Sequence, residues 1–596
     1  MIKHALIITF CLAFPQSFFS QKSLFSNNLT KSLSSCSGAQ ASEILNINNI
    51  EAQITTAGDM HWDLFGSGTQ YYRFPKNSNF NVSGASALWI GGLDVGGQLK
   101  IAGQTYRQSG YDFWPGPLNS STASTDGMQC AKFDYIWKLD YTQLTDFLSN
   151  YKAGNIAMNT YTPSNSILTW PTLDSTSNSY NIAPYNDINA NGIYNPVSEG
   201  DYPKLRGDQE LFYVFNDKGD IHTETGGQSI GLEIHLSAYG YGCQTTIAQY
   251  PELANTTFYH YRIINKSNFK ISKTYIAIWV DANIGDRNDD YVGSNANAGY
   301  GYAYNADGYD NVYGNILPAT ATVLLKGPQA DPNDGVDNDG DGMIDEVGEE
   351  ITIPNFFYFY QNSFPYNPTP PVPPQMVNPS LASQFYGYMS GYWRDGTQFT
   401  CGGNAYGGTI PTKNVFPSNY SPIGACGSFW TENNAGNINY DRCYLLSVGP
   451  FTFTPNSERE FEIAFVTSVD SSSIGNPIGS INKLQTDVQK VKTFYNMPIK
   501  PSCIDTNKIA KIILPKKNEI SIYPNPFEDD LTVNFGVFYN KDINIRIYTV
   551  LGQVIYDTSF SKTEEVKINL SSFSKAVYFI EVNYDDHKVI QKLVKE

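Results

Sequence analysis

From about residue 45 to 330 the chain is written in short runs of alternating apolar and polar residues, bounded by Gly, Asn, Asp and Pro. That period of two is the mark of strands with one buried face. Residues 211–216 (LFYVFN), 231–238 (GLEIHLSA) and 257–264 (TFYHYRII) read as strands, and 274–280 (TYIAIWV) as an apolar central strand. A second β-rich stretch ends in 461–466 (FEIAFV). Only two segments carry helical signals. Residues 142–151 follow Asp140 as a cap and end before Gly154. Residues 481–496 place Leu484, Val488, Val491 and Phe494 on one face, with Ser480 as cap and Pro498 as stop. The pattern predicts a mostly-β passenger of one or two packed β-sandwich domains with few helices. The Pro-rich stretch 362–380 reads as an extended surface connector.

The pattern changes near the end. Residues 499–519 (IKPSCIDTNKIAKIILPKKNE) form a linker, and from 520 about six short alternating strands follow at roughly ten-residue spacing. This is enough for a small Ig-like antiparallel β-sandwich, spanning 520–596. At the other end, Lys3 and His4 precede ten apolar residues, 5–14, and a small-residue-bearing stretch, 17–20. That predicts a secretory signal peptide over residues 1–20, too short to span a bilayer. Phe10 before Cys11 argues against a lipoprotein signal, where a small residue is needed. No later run approaches 18 apolar residues, so no transmembrane segment is expected. The passenger is then 21–498.

Composition narrows the partners. With 39 Lys+Arg against 57 Asp+Glu the net charge of the 596 residues is −18, which disfavours nucleic acid. Aromatics at 14% exclude a disordered acidic chain. Beyond Cys11, seven cysteines remain: Cys36, Cys130, Cys243, Cys401, Cys426, Cys443 and Cys503. No CxxC pair suggests zinc, so disulfides are expected, with one cysteine left over and a bridge within the Cys401, Cys426, Cys443 group.

The terminal module carries recognisable motifs: the YPNPF opening around Pro524, Asn525 and Pro526, the VLGQV turn at Gly552, the VYFI strand with Tyr578, and the KLVK ending at Lys592. Together, in this order, they resemble the type A C-terminal sorting domain of the Bacteroidetes type IX secretion system. Ala576 departs from the usual Gly before the aliphatic-Tyr-Phe strand, a cheap change unless the site needs φ > 0. The resemblance implies a partner in the type IX secretion machinery. It also implies delivery to the cell surface or medium, with release or attachment to surface lipopolysaccharide. Passenger phrases such as ALWIGGLD, DFWPGPL and TYIAIWVDANIGD are similar to those of large secreted Bacteroidetes proteins of unassigned activity.

The sharpest chemistry lies at 331–350, DPNDGVDNDGDGMIDEVGEE. Asp337, Asp339 and Asp341 alternate before Gly342, then the Met343 carbonyl, Asp345 and Glu346 follow. Ca²⁺ takes six to eight oxygens, and a D-x-D-x-D-G loop folds three carboxylates about one point. The twelfth position is Gly348, so Glu346 or Glu349 would supply the bidentate ligand, and no flanking helices make this an EF-hand. The loop resembles the Asp-rich metal-binding repeats of extracellular bacterial proteins. Asp187, Asn189, Asn191 and Asn195 repeat the spacing with amides, completed by Glu199 or Asp201, and should bind more weakly. Asp281, Asp286, Asp289 and Asp290, following a buried strand, are a third Ca²⁺ candidate whose spacing matches no single template. Ca²⁺ is thus expected as a structural cofactor, and transition metals are disfavoured by the absence of His and Cys.

Evidence for catalysis is thin. Ser229 sits in a literal G-x-S-x-G, but a strand pattern follows where a nucleophile elbow needs a helix. Glu224 and Glu233 could pair as in a glycosidase. Trp89, Trp114, Trp279, Trp393 and Trp430 read as core. The reading is a secreted, calcium-stabilised, non-enzymatic protein serving adhesion, surface structure or binding of a glycan or protein ligand. The alternative is a secreted hydrolase acting on polysaccharide or protein.

Overall fold

The computed structural model describes residues 35–596 apart from 65, 67–68, 109, 175–178, 181, 362–370, 418–425, 427–428, 502, 504–519 and 585–586. The expected signal peptide and most of the linker lie outside the described residues, as does the first half of the Pro-rich stretch.

The passenger is built on two nine-stranded sheets, every named pairing in them antiparallel. In the first, the central run is Ala85–Leu93, Ile271–Asp281, Arg442–Phe453, Asn355–Tyr360. In the second it is Pro318–Lys326, Glu458–Val469, Thr256–Asn265, Leu232–Gly240, Gln209–Asn216. The passenger strands expected from sequence fall inside these spans, except that the second begins at Leu232 rather than at Gly231. The sheets face each other across one core, in which Ile276, Ile278, Leu446 and Val448 of the first meet Tyr261, Ile263, Phe461 and Ile463 of the second. Tyr444 and Thr322 join their hydroxyls across the gap at 2.8 Å, and Tyr72 bonds Thr257 at 2.8 Å.

Each sheet is covered on its outer face as well. Because side chains alternate along a strand, Trp89 and its neighbour Ala277 point away from Ile276 and Ile278. There they meet helix Ala382–Ser390: Trp89 lies 4.7 Å from Phe385 and Phe359 lies 4.7 Å from Tyr388. On the second sheet, Tyr300, Tyr302 and Tyr304 turn outward with Ala321, Val323 and Ala464. Helix Pro477–Tyr495 closes over them with Ile481, Leu484, Val488, Val491 and Phe494, the face the sequence marked. The result is four layers, helix, sheet, sheet, helix. This is why 274–280 is apolar throughout rather than alternating.

Helix starts show where local chemistry was misread. Tyr141–Lys152 has the expected Asp140 cap, completed by Gln143 as a capping box. The later helix starts three residues before Ser480. Asn476 caps it and Pro477 occupies the first turn, the better pair of start signals. Ser480 is instead buried in the first turn, donating to the Leu317 carbonyl at 2.6 Å. The later part of the Pro-rich stretch is no surface connector, since Met376 is fully buried against the first sheet.

Three disulfides tie the passenger: Cys36–Cys130, Cys243–Cys503 and Cys401–Cys426. Cys443 is the one left over, a buried thiol that burial pushes well above its ordinary pKa. Cys243–Cys503 closes 260 residues, fastening the start of the linker to the passenger. In the chain-entropy picture a loop of that size contributes roughly 5–6 kcal/mol.

The terminal module has its own core of Ile522, Phe527, Leu531, Ile545, Ile547, Ile580 and Leu593. Five strands build it where about six short ones were expected, because two of them, Asp530–Thr549 and Val554–Asn569, run on continuously. The register between these two shifts near Asn534 and Asp542, which lets one pair of strands serve both layers of the sandwich.

Gly301 sets the sheet-to-sheet distance. A Cβ there would lie 2.0 Å from the Phe356 ring. Gly301→Ala is expected to destabilise the passenger by about 1–3 kcal/mol through overpacking, seen as a lower melting temperature, whereas an unchanged melting temperature would show slack between the sheets.

Candidate functional site

The loop 337–345 is preshaped by its own backbone. Asp337 accepts from Gly340 N at 2.7 Å and Gly342 N at 3.1 Å, Asp339 from Asp341 N at 3.1 Å, and Asp341 from Met343 N at 2.8 Å. These bonds turn the carboxylates inward, so that one oxygen from each of Asp337, Asp339 and Asp341 lies within 4.8 Å of the others. Such a triangle of oxygens fits a hard divalent cation. Asp345, at φ 63°, uses Oδ1 to accept from Gly335 N at 3.0 Å and closes the loop from behind. The Met343 side chain is exposed, leaving only its carbonyl as a ligand. Of the two Glu candidates, Glu349 is buried and takes the Asn338 N–H, while Glu346 has a buried Oε2 without a hydrogen-bond partner. The Glu346 carboxyl, lowered by its own backbone N–H, is nonetheless raised overall by lost solvation and the charges of Asp341 and Glu349.

The loop 187–195 repeats this wiring. Asp187 accepts from Asn191 N at 3.2 Å and Gly192 N at 2.7 Å, Asn189 from Asn191 N at 3.2 Å, and Asn191 from Ile193 N at 2.8 Å. Glu199 holds the Asn191 amide at 2.9 Å. The buried Asp201 takes Ile188 N at 2.9 Å and Asn195 N at 2.8 Å, the former matching what Glu349 does for Asn338. Asn195 also accepts from Ser198 N at 3.2 Å. Of the third acidic group, Asp281 is drawn away from the others. Asp281 is committed to Tyr106 at 2.6 Å, Asn283 at 2.8 Å and Gln361 at 3.1 Å.

The nominated catalytic groups are engaged elsewhere. Ser229 is followed by Gly231 at φ 97° and strand Leu232–Gly240, so the elbow geometry is absent. Glu233 is buried, bonded to His235 at 2.8 Å and Leu118 N at 2.8 Å. His61 is fully buried against Tyr259, and burial drives its pKa down to about 3. Trp89, Trp114, Trp279, Trp393 and Trp430 are all buried. An open cleft of 510 Å³, unmarked in the sequence, lies between Leu99, the loop 223–226 and the turn 380–383. Its residues come from three distant segments, so no local motif marks it. Glu224 is the carboxylate lining it, hydrogen-bonded to Thr105.

In the terminal module the separated motifs meet. Asn525 donates to the Lys592 carbonyl at 2.7 Å and accepts from Val594 N at 2.9 Å. Lys595 passes over the Phe527 ring and donates to Leu570 O at 2.7 Å. Gly552 takes φ 81° in the hairpin turn, and the Tyr578 hydroxyl reaches Ser574 O at 2.7 Å. Pro524 and Pro526 follow cis bonds at the opening, and the Lys592 side chain is exposed. Ala576 is exposed with no positive φ, so a Cβ is tolerated there.

A two-sheet passenger with a separate terminal sandwich is thus the class the fold defines. Residues 521–596 match the family described as secretion system C-terminal sorting domain. The chain is a type IX secretion cargo, destined for the cell surface or the medium. No curated protein matches the chain. Among solved structures, a polysaccharide lyase aligns at 8% identity and TM-score 0.18, over 65% of this chain and 35% of that one. The chain thus spans about a third of the lyase, and so slight a likeness bears on neither fold nor activity. No helix among the described residues is long and apolar enough to cross a membrane.

Asn525→Ala removes both clamps on the last strand. It is expected to cost the module about 1–2 kcal/mol, read as faster amide exchange in His587–Val594 with passenger exchange unchanged. Unchanged exchange in that strand would show the clamp to be idle.

Proposed function

We propose that the passenger is a calcium-stabilised, non-enzymatic surface protein that binds glycan through the cleft between Leu99, the loop 223–226 and the turn 380–383. The observation that carries this reading is the cleft's single carboxylate. Hydrolysis of a glycosidic bond needs two, about 5–10 Å apart across the substrate. Glu224 stands without an acidic counterpart among the lining residues, which are otherwise Thr, Ser, Gly, Ala and Leu. Small hydroxyls beside an exposed Leu381 suit a ligand that is itself rich in hydroxyls. Binding to a panel of polysaccharides, with reducing ends assayed in parallel, tests this. Retention of at least one glycan is expected, weakened about tenfold by Thr223→Ala with Glu224→Gln and with no product released. Product formation abolished by Glu224→Gln would establish the hydrolase instead.

Calcium enters the same proposal as structural support. Asp337, Asp339 and Asp341, with Asp345 or Glu346 and the Met343 carbonyl, would hold the ion, and Asp187, Asn189, Asn191 and Asn195 a weaker one. The charge it supplies would offset the repulsion of crowded carboxylates. At 100 times Kd a site stabilises its fold by about 2.7 kcal/mol. A Ca²⁺-dependent rise in melting temperature is expected after EDTA treatment, reduced when Asp337, Asp339 and Asp341 become Asn. An equal rise in that variant would remove the loop from the account.

A further inference from the structure

Where strand Ile271–Asp281 runs out, the chain turns through 282–289 and re-enters the second sheet at Asp290. A second loop, 305–314, lies against this turn. Asp286 N donates to Asp310 Oδ2 at 2.8 Å, Ala306 N to Asp289 O at 2.6 Å, and Asn311 Nδ2 to Asp286 Oδ2 at 2.5 Å. Gly285 lets Asp310 come close, since a Cβ there would sit 2.3 Å from its Oδ1. The two loops thereby bring Asp310 beside Asp286 and Asp289, with Asp290 and Asp310 fully buried, although among the described residues no three carboxylates here meet at the close spacing of Asp337, Asp339 and Asp341.

The hydrogen-bond count at this corner does not balance. Ile284 N takes Asp290 Oδ2 at 2.8 Å, leaving Oδ1 for the cluster, and that oxygen is buried with no donor. Asp289 Oδ1 and Asn283 Oδ1 are in the same state. So is Asn81 Oδ1, whose residue is tied to the turn by Gly285 N–H to its carbonyl at 2.9 Å. All four are acceptors. Arg287 pairs with Asp441 at 3.6 Å and Arg442 with Glu432, and from there Arg287 favours the charged form of Asp286 and Arg442 that of Asp290 without an ion pair to either. Among the described residues no ion pair includes Asp286, Asp289, Asp290 or Asp310. Buried acceptors without donors are costly, and buried charges without partners more so. The carboxylates also feel one another. Burial, then the charges of Asp310, Asp286 and Asp307, push Asp289 up to about 7, and burial with Asp289 and Asp310 raises Asp290.

We propose that this corner is a further Ca²⁺ site, in which Asp289 Oδ1, Asp290 Oδ1 and the Asn283 amide oxygen ligate the ion and Asp286 and Asp310 supply balancing charge. An all-oxygen donor set mixing carboxylates with amides is what Ca²⁺ accepts, whereas zinc would want nitrogen or sulfur. The ion would pin the exit of the first sheet's central strand to the entry of the second sheet. It shares no residue with the 337–345 loop, the 187–195 loop or the cleft.

The test uses the full secreted chain, stripped with EDTA and desalted, in a background where Asp337, Asp339, Asp341 and Asp187 are Asn. Calorimetric titration with Ca²⁺ is expected to show one remaining site per chain, and titration with Mg²⁺ none. Adding Asp289→Asn, a near-isosteric change at a residue that is not fully buried, is expected to weaken that site at least tenfold. Zero sites in the folded background protein would overturn the proposal by itself, without needing the second variant. A site that survives Asp289→Asn unchanged, or that takes Mg²⁺ equally well, would overturn it too. Failure of the 337–345 loop to bind would appear separately, as an unchanged stoichiometry between wild type and background.

Discussion

Burial of both sheets on both faces is the constraint on which the passenger depends. Helix Ala382–Ser390 lies on one outer face, Pro477–Tyr495 covers Pro318–Lys326 and Glu458–Val469 on the other, and Phe133, Trp137 and Trp170 cover Gln209–Asn216 there, so the central strands are largely buried on both sides. Polar groups on those strands must then find partners within the fold. The hydroxyls of Tyr444, Tyr72 and Tyr259 do so across the core, and Arg442 and Glu432 pair while wholly buried. Around Asp290 several acceptor oxygens lack such partners, a deficit that the proposed ion would fill.

This constraint explains what the sequence disclosed. Strands showed because Val, Ile, Tyr and Phe in short punctuated runs have few other uses, and the Pro477–Tyr495 helix because Leu484, Val488 and Val491 recur at helical spacing. Helix Ala382–Ser390 (ASQFYGYMS) escaped notice because it lacks a capping side chain and carries Gly and two Tyr. The Asp337 loop was legible because its carboxylates are close together in the chain. Asp310 was not, since it joins Asp289 and Asp290 only through folding, while Asp281, adjacent in sequence, is drawn off by Tyr106 and Gln361. The cleft at Leu99 and Glu224 was hidden for the same reason. Among the cysteines, proximity foretold a bridge at Cys401 but could not say that Cys426 rather than Cys443 would be its partner.

The terminal module obeys a different rule. Its core is self-contained, and its motifs are constraints on closure: Asn525 at the entrance binds the backbone of the final strand, so the opening and ending of the module fold together or not at all. A sorting address of this kind is legible from sequence because each motif is a tight turn or a clamp with few substitutes. Passenger and module are thus two folding problems joined by a linker whose first residues are held by Cys243–Cys503.

Hydrogen exchange of the intact secreted chain tests this division most directly. The account expects strands Ile271–Asp281, Thr256–Asn265 and Glu458–Val469 to exchange last and together, as one unit spanning both sheets. The strands of 521–596 should exchange on their own, unaffected by destabilising the passenger with Gly301→Ala. Separate exchange of the two passenger sheets, or a module that loosens in step with the passenger, would contradict it.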